Sequence, residues 1–142
     1  MKKLFTAISD RFTASTTMES LGRKLYRGFR GQILSAPRPH VVVELEMQET
    51  LDTFGADIEN WAATFRFMSK DRTPDDADAW LEATVDTFDT ALLTSDFFIC
   101  CLCEMQGKEG PFLADGSEYY DAAMTFDIVI QRLAKLPATR MA

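Results

Sequence analysis

Three cysteines crowded into four positions, Cys100, Cys101 and Cys103, are the side chains of this sequence best suited by type to metal or redox chemistry. Zinc needs four thiolate or imidazole ligands in a tetrahedron, usually from two separated pairs. The only histidine, His40, is far off in sequence, and on a helix Cys101 would turn about 100° away from Cys100. Free cysteine packs as a small hydrophobe, so the cluster reads as core and no metal is expected. A catalytic relay would also have to run through His40, which lies between Pro39 and a valine run with no nucleophile elbow nearby. The string Asp71, Asp75, Asp76 and Asp78 lacks the spacing and the glycine of a calcium loop, and helix capping accounts for it. Gly28 and Gly31 stand in a basic segment that reads as helix, not after a strand, so no phosphate loop is present. No pair of carboxylates is singled out for acid–base work. The expectation is a non-enzymatic protein without a cofactor.

Binding is the chemistry that remains. Phe54, Trp61, Phe65, Trp80, Phe88, Met105 and Tyr120 are expected to line an apolar pocket between helices, where a hydrophobic small molecule would fit. The alternative for the same residues is the plain core of a helical bundle. Arg23, Lys24, Arg27 and Arg30 would lie along one helix and could meet an anionic surface, nucleic acid or membrane, weakly.

The elements that would position these residues read as helices throughout. Leu4, Phe5, Ile8 and Phe12 share one face of a helix over 3–12, and Thr16 with Glu19 reads as a capping box opening a second helix. Met47, Leu51, Phe54, Ile58, Trp61, Phe65 and Met68 recur at steps of four and three, predicting a long helix from His40 to Ser69 with Gly55 inside it. Thr73 and Pro74 would open a fourth helix carrying Ala77, Leu81, Val85, Phe88 and Leu92. Phe97–Met105 reads as a fifth helix that is apolar nearly all round, and 117–136 as a sixth. The fold class expected is therefore all-α, a single-domain bundle of about six helices.

Composition sets outer limits. The chain has 142 residues, enough for one core, and 46% of them are apolar, which excludes a disordered class. Its longest apolar run is only the seven residues Phe97–Cys103, too short to span a bilayer. Asp10 and Arg11 cut short any signal-like start, and an odd number of cysteines suits reduced thiols, so a cytoplasmic protein is expected. Charge divides the chain into a basic segment, 1–38, with a net +6, and an acidic body, 39–142, with a net −13. The acidic body repels nucleic-acid phosphates.

The second half, Trp80 to Leu93, Phe98 to Met105 and the segment from Ser117 to Leu136, resembles the effector-binding and dimerisation domain of the TetR family of transcription regulators. Thr17–Gly22 and Leu25–Phe29 look like fragments of that family's DNA-binding unit, but only Arg23 and Lys24 separate them, leaving no room for a recognition helix. The resemblance implies a homodimer through Phe97, Phe98, Ile99, Leu102, Phe126 and Ile130. It implies a regulator-like module that binds a hydrophobic ligand or a protein partner without intact sequence-specific DNA reading. The alternative expectation is an acidic helical adaptor, inhibitor or assembly subunit that docks on another protein.

Overall fold

The computed structural model describes residues 2–22, 24–28, 38–53, 56–113 and 118–133. Its element order is α1 (Lys2–Ala14), α2 (Thr16–Gly22), β1 (Leu25–Gly28), β2 (His40–Thr53), β3 (Ala56–Met68), α3 (Asp75–Phe88), β4 (Phe98–Leu113) and β5 (Tyr120–Arg132). The five strands form one sheet in the order β1-β2-β3-β5-β4. β1 pairs parallel with β2, and every other pairing is antiparallel. The all-α expectation is thus overturned: three of the six expected helices are strands, and the protein is a mixed sheet with helices on one face.

The correction has a physical cause in the period of the apolar residues. Residues four apart share a face in a helix and also in a strand, so Trp61 and Phe65 carry no information about which is present. The next positions do. Trp61, Ala63, Phe65 and Phe67 are buried at every second residue of β3. Ala122, Met124, Phe126, Ile128 and Ile130 repeat the pattern in β5, opposite Phe67 through Glu59. Val41 and Val43, with β-branched side chains that favour a pleated surface, carry it into β2, opposite Phe67 and Phe65. The expected helix over 40–69 is therefore the β2–β3 hairpin.

Three helices cover this apolar face. Leu4, Ile8 and Phe12 of α1, Met18 of α2, and Trp80 and Phe88 of α3 join the strand residues in a single core. The basic N-terminal segment and the acidic body are thus packed together through α1, α2 and β1. The helix expected at 3–12 is present, and the one opening near Pro74 is present but ends at Phe88, leaving Leu92 exposed beyond it. Capping differs in detail. Ser15, not Thr16, receives the Met18 N–H at 3.3 Å. Asp71 takes the Thr73 N–H at 3.0 Å and the Asp76 N–H at 3.3 Å, the role expected of Thr73. Those hydrogen bonds, the Thr73 ones foremost, hold the Asp71 carboxyl below its usual range.

Among the described residues the other face of the sheet carries no helix. At one end Arg38 crosses it, donating to the Asp121 carboxylate at 2.6 Å and to the Ser69 carbonyl at 2.8 Å. At the helix-covered face near the opposite end, buried Glu59 accepts from the Trp61 indole at 3.0 Å and pairs with Arg132 at 3.0 Å.

Candidate assembly interface

Among the described residues β4 is the last strand of the sheet, with no strand beside one side of its backbone. Which residues turn outward follows from β5. Tyr120 bonds towards the β3 side, accepting from Ser69 N–H and donating to the Asp71 carbonyl, so the odd-numbered residues of β5 bond towards β4. Their opposites on β4 include Leu102, Glu104, Gly107 and Glu109. Cys103, Met105 and Lys108 therefore direct their N–H and C=O groups outward. At the first two the edge is closed: the Cys103 carbonyl accepts from Thr90 N–H at 2.8 Å, and the Met105 N–H donates to Asp89 at 3.0 Å. At Lys108 no such cap is present among the described residues. Register shifts at Met105/Gly107 and Glu109/Phe112 bracket this open stretch. Bulges of this kind keep an edge from pairing indiscriminately. Gly110 ends the stretch with φ +98°, and a Cβ there would stand 2.9 Å from the Asp121 carbonyl oxygen, so the bend requires glycine.

Beside the open edge lies a groove of about 620 Å³ between α3 and β4, walled by Asp78, Leu81, Glu82, Val85 and Asp86 and floored by Lys108 and Gly110. Asp78, Glu82 and Asp86 follow one another at i, i+4 on α3. The helix dipole favours acids only in the first turn, and like charges at i, i+4 destabilise a helix by about 0.2–0.5 kcal/mol per pair. Glu82 and Asp86 therefore cost the isolated fold something. None of the three forms an ion pair among the described residues. Around the helix start, burial and the neighbouring Asp71 and Asp75 carboxylates push the Asp76 carboxyl up.

The residues singled out in the sequence are redistributed by this fold. Trp61, Phe65, Trp80 and Phe88 are buried in the core, with Phe65 centred 4.9 Å from Phe88 and 5.8 Å from Phe126. Met105 and Tyr120 pack against the same core. These rings fill the space between sheet and helices, and the groove is lined by other residues. Phe54 lies outside the described residues. Of the expected dimer set, Phe98, Phe126 and Ile130 are buried in the core, whereas Phe97, Ile99 and Leu102 are exposed. Arg23 and Arg30 lie outside the described residues, and Lys24 and Arg27 stand at a strand, not on a helix face. Lys24 reaches over the Tyr26 ring at 5.1 Å.

Strand geometry also separates the thiols. Cys100 and Cys103 are buried towards the core, and Cys101 is exposed at the bulge between Cys100 and Leu102. Burial pushes the Cys100 thiol up and the Cys103 thiol up to about 12. At pH 8 a thiol reagent should label Cys101 rapidly and the other two only on unfolding, as peptide mapping would read. Equal labelling of all three in the native protein contradicts this placement. Because the folded form holds the Cys103 proton more tightly, its contribution to stability should persist below pH 9 and fall as pH rises towards 12.

No protein-family model matches the chain, and no curated protein matches it either. Solved structures do. A chain of the "Virion of native gene transfer agent (GTA) particle" aligns with a TM-score of 0.74 at 12% identity, covering 92% of this chain and 96% of that one. The fold is shared with a virion chain. With so few identities the likeness speaks for the fold, and it extends over almost the whole of both chains. It overturns the resemblance to TetR regulators, whose helical architecture a five-stranded sheet cannot adopt. The reading as a helical, transcription-regulating module falls with it. Thr17–Gly22 lies within α2, but Leu25–Gly28, matched to the close of a recognition helix, is a strand.

Sequence reasoning missed the edge at Lys108 and the Asp78–Glu82–Asp86 stripe. The stripe had a signal: acids continuing past the first turn of α3, where capping no longer explains them. The edge had none, because which strand is outermost depends on long-range pairing.

Proposed function

We propose that this chain is an assembly subunit of a virion-like particle, acting through contacts with other proteins and not by catalysis. The single observation that carries the reading is the likeness to a virion chain over 92% of this chain and 96% of that one. The unfilled groove beside a sheet edge supports it, because both features suit docking. The reading corresponds to the adaptor or assembly alternative drawn from the acidic composition, moved from a helical scaffold to a sheet. Exposed Phe97, Ile99 and Leu102 at the start of β4 are the surface on which copies of the chain would pack, and self-association belongs to the proposal. So does assembly in the cytoplasm.

The test is deletion of the coding sequence in a particle-producing host, with purified particles examined by mass spectrometry and electron microscopy. The expected result is that the wild-type chain copurifies with particles at constant stoichiometry and that the deletion leaves incomplete ones. Particles of unchanged yield and form that never contained the chain would overturn the reading.

A further inference from the structure

The groove between α3 and β4 has three properties that together select an occupant. The first is its wall. Asp78, Glu82 and Asp86 stand at successive i, i+4 positions on α3, about 6 Å apart along the helix axis. The second is its floor, where Lys108 turns its backbone N–H and C=O outward with no capping group among the described residues. The third is its place beside the outermost described strand, whose end at Phe112 and Leu113 is 41% and 53% exposed.

An extended peptide places alternate side chains about 6.6 Å apart on one side. That spacing runs close to the carboxylate spacing over three positions, so one cation can meet each acid. Its backbone can meanwhile pair with the open groups of Lys108, as strands do when they add to a sheet edge. The Glu109/Phe112 register shift and Pro111 end the pairing after a short run, which limits copying of the edge by further strands. Across the sheet the outermost described strand is β1, only four residues long, and the part of β2 beyond it carries Glu46 and Glu49. That part of β2 is acidic, so charge disfavours it as the occupant, and pairing through β1 would appear as the dimer tested below.

We propose that the α3–β4 groove receives an extended, lysine- or arginine-bearing segment of a different protein, added as a short strand at Lys108 with its cations on Asp78, Glu82 and Asp86. The proposal rests on the assembly reading and names the chemistry of the partner at one surface.

The test uses the full chain and a fluorescein-labelled peptide, Lys-Val-Lys-Val-Lys-Val-Lys, in fluorescence anisotropy. Two comparators are the same peptide with every backbone amide N-methylated, which cannot donate backbone hydrogen bonds in either strand direction, and its glutamate analogue. The expected results are binding by the first peptide alone, weakened by salt, and slower hydrogen exchange at the Lys108 amide. The triple variant Asp78→Asn, Glu82→Gln, Asp86→Asn should bind about tenfold more weakly, or less. Its melting temperature should not fall, because the substitutions relieve like-charge repulsion. That separates lost binding from lost structure.

Comparable binding of the glutamate or N-methylated peptide overturns the proposal, as does unchanged binding by the triple variant or no binding at all. Occupation of the groove by a second copy, seen as a dimer that the triple variant dissolves in sedimentation, overturns it too. Particle incorporation is measured separately, so an empty groove in a chain that still enters particles refutes this inference while the assembly reading stands.

Discussion

Phe65→Ala is expected to lower the stability of the fold by about 3–5 kcal/mol, the range for truncating a fully buried phenylalanine. Phe65 is wholly buried on the central strand β3, between Val43 of β2 and Met124 of β5. Its ring contacts Phe88 of α3 and Phe126 of β5, which themselves stand 6.0 Å apart. Removing it takes the middle from a three-ring cluster that joins helix to sheet. Neither neighbour can collapse into the gap, because Phe126 is held in the ladder and Phe88 ends its helix. A domain of this size has only about 5–15 kcal/mol in total, so the loss should be plain in urea denaturation. A midpoint within error of the wild type would mean that α3 does not pack on β3 as described.

Asp121→Ala is expected to cost about 3 kcal/mol, the lower part of the range for breaking a buried ion pair by removing one partner. The Asp121 side chain is 9% exposed and that of Arg38 24%. Deleting the carboxylate leaves a guanidinium held over the sheet by the Ser69 carbonyl and the Tyr119 ring, without a counter-charge. Asp121→Asn keeps an acceptor and should cost less. Arg66→Ala serves as a control, because its 3.4 Å contact with Glu44 is half exposed and worth at most about 1 kcal/mol. Equal effects from Asp121→Ala and Arg66→Ala would show that the Arg38 crossing contributes nothing particular.

Much of the core could be read from residue types alone, whereas the architecture around it could not. Leu4, Ile8 and Phe12 share the buried face of α1, and Ala77 and Phe88 that of α3, as their spacing in the sequence implies. These are local patterns in short helices with polar residues on the other side. The segment 120–131 shows the opposite case. Ala122, Met124, Phe126, Ile128 and Ile130 alternate with Asp121, Thr125, Asp127 and Gln131, a two-residue period that a search for four-and-three steps passes over. The segment Phe97–Met105 reads as a helix apolar nearly all round, to be covered by its own domain or by a partner subunit. In the structure it is strand from Phe98 on, and the alternation of β4 with the bulge between Cys100 and Leu102 divides its residues between core and solvent.

The sequence by itself determined that there is apolar material for one core, and the opposition of a basic start to an acidic body. Those properties follow from residue type and local order, which any fold of the chain must carry. Tertiary structure decided that β4 lies at the edge, that Lys108 faces outward, and that the acids of α3 stand beside it. Each of these depends on pairings between strands distant in the chain, β2 with β3 and then β3 with β5 with β4. Such pairings are fixed by the combined burial of all the strands against α1, α2 and α3, a sum that no local window of sequence contains.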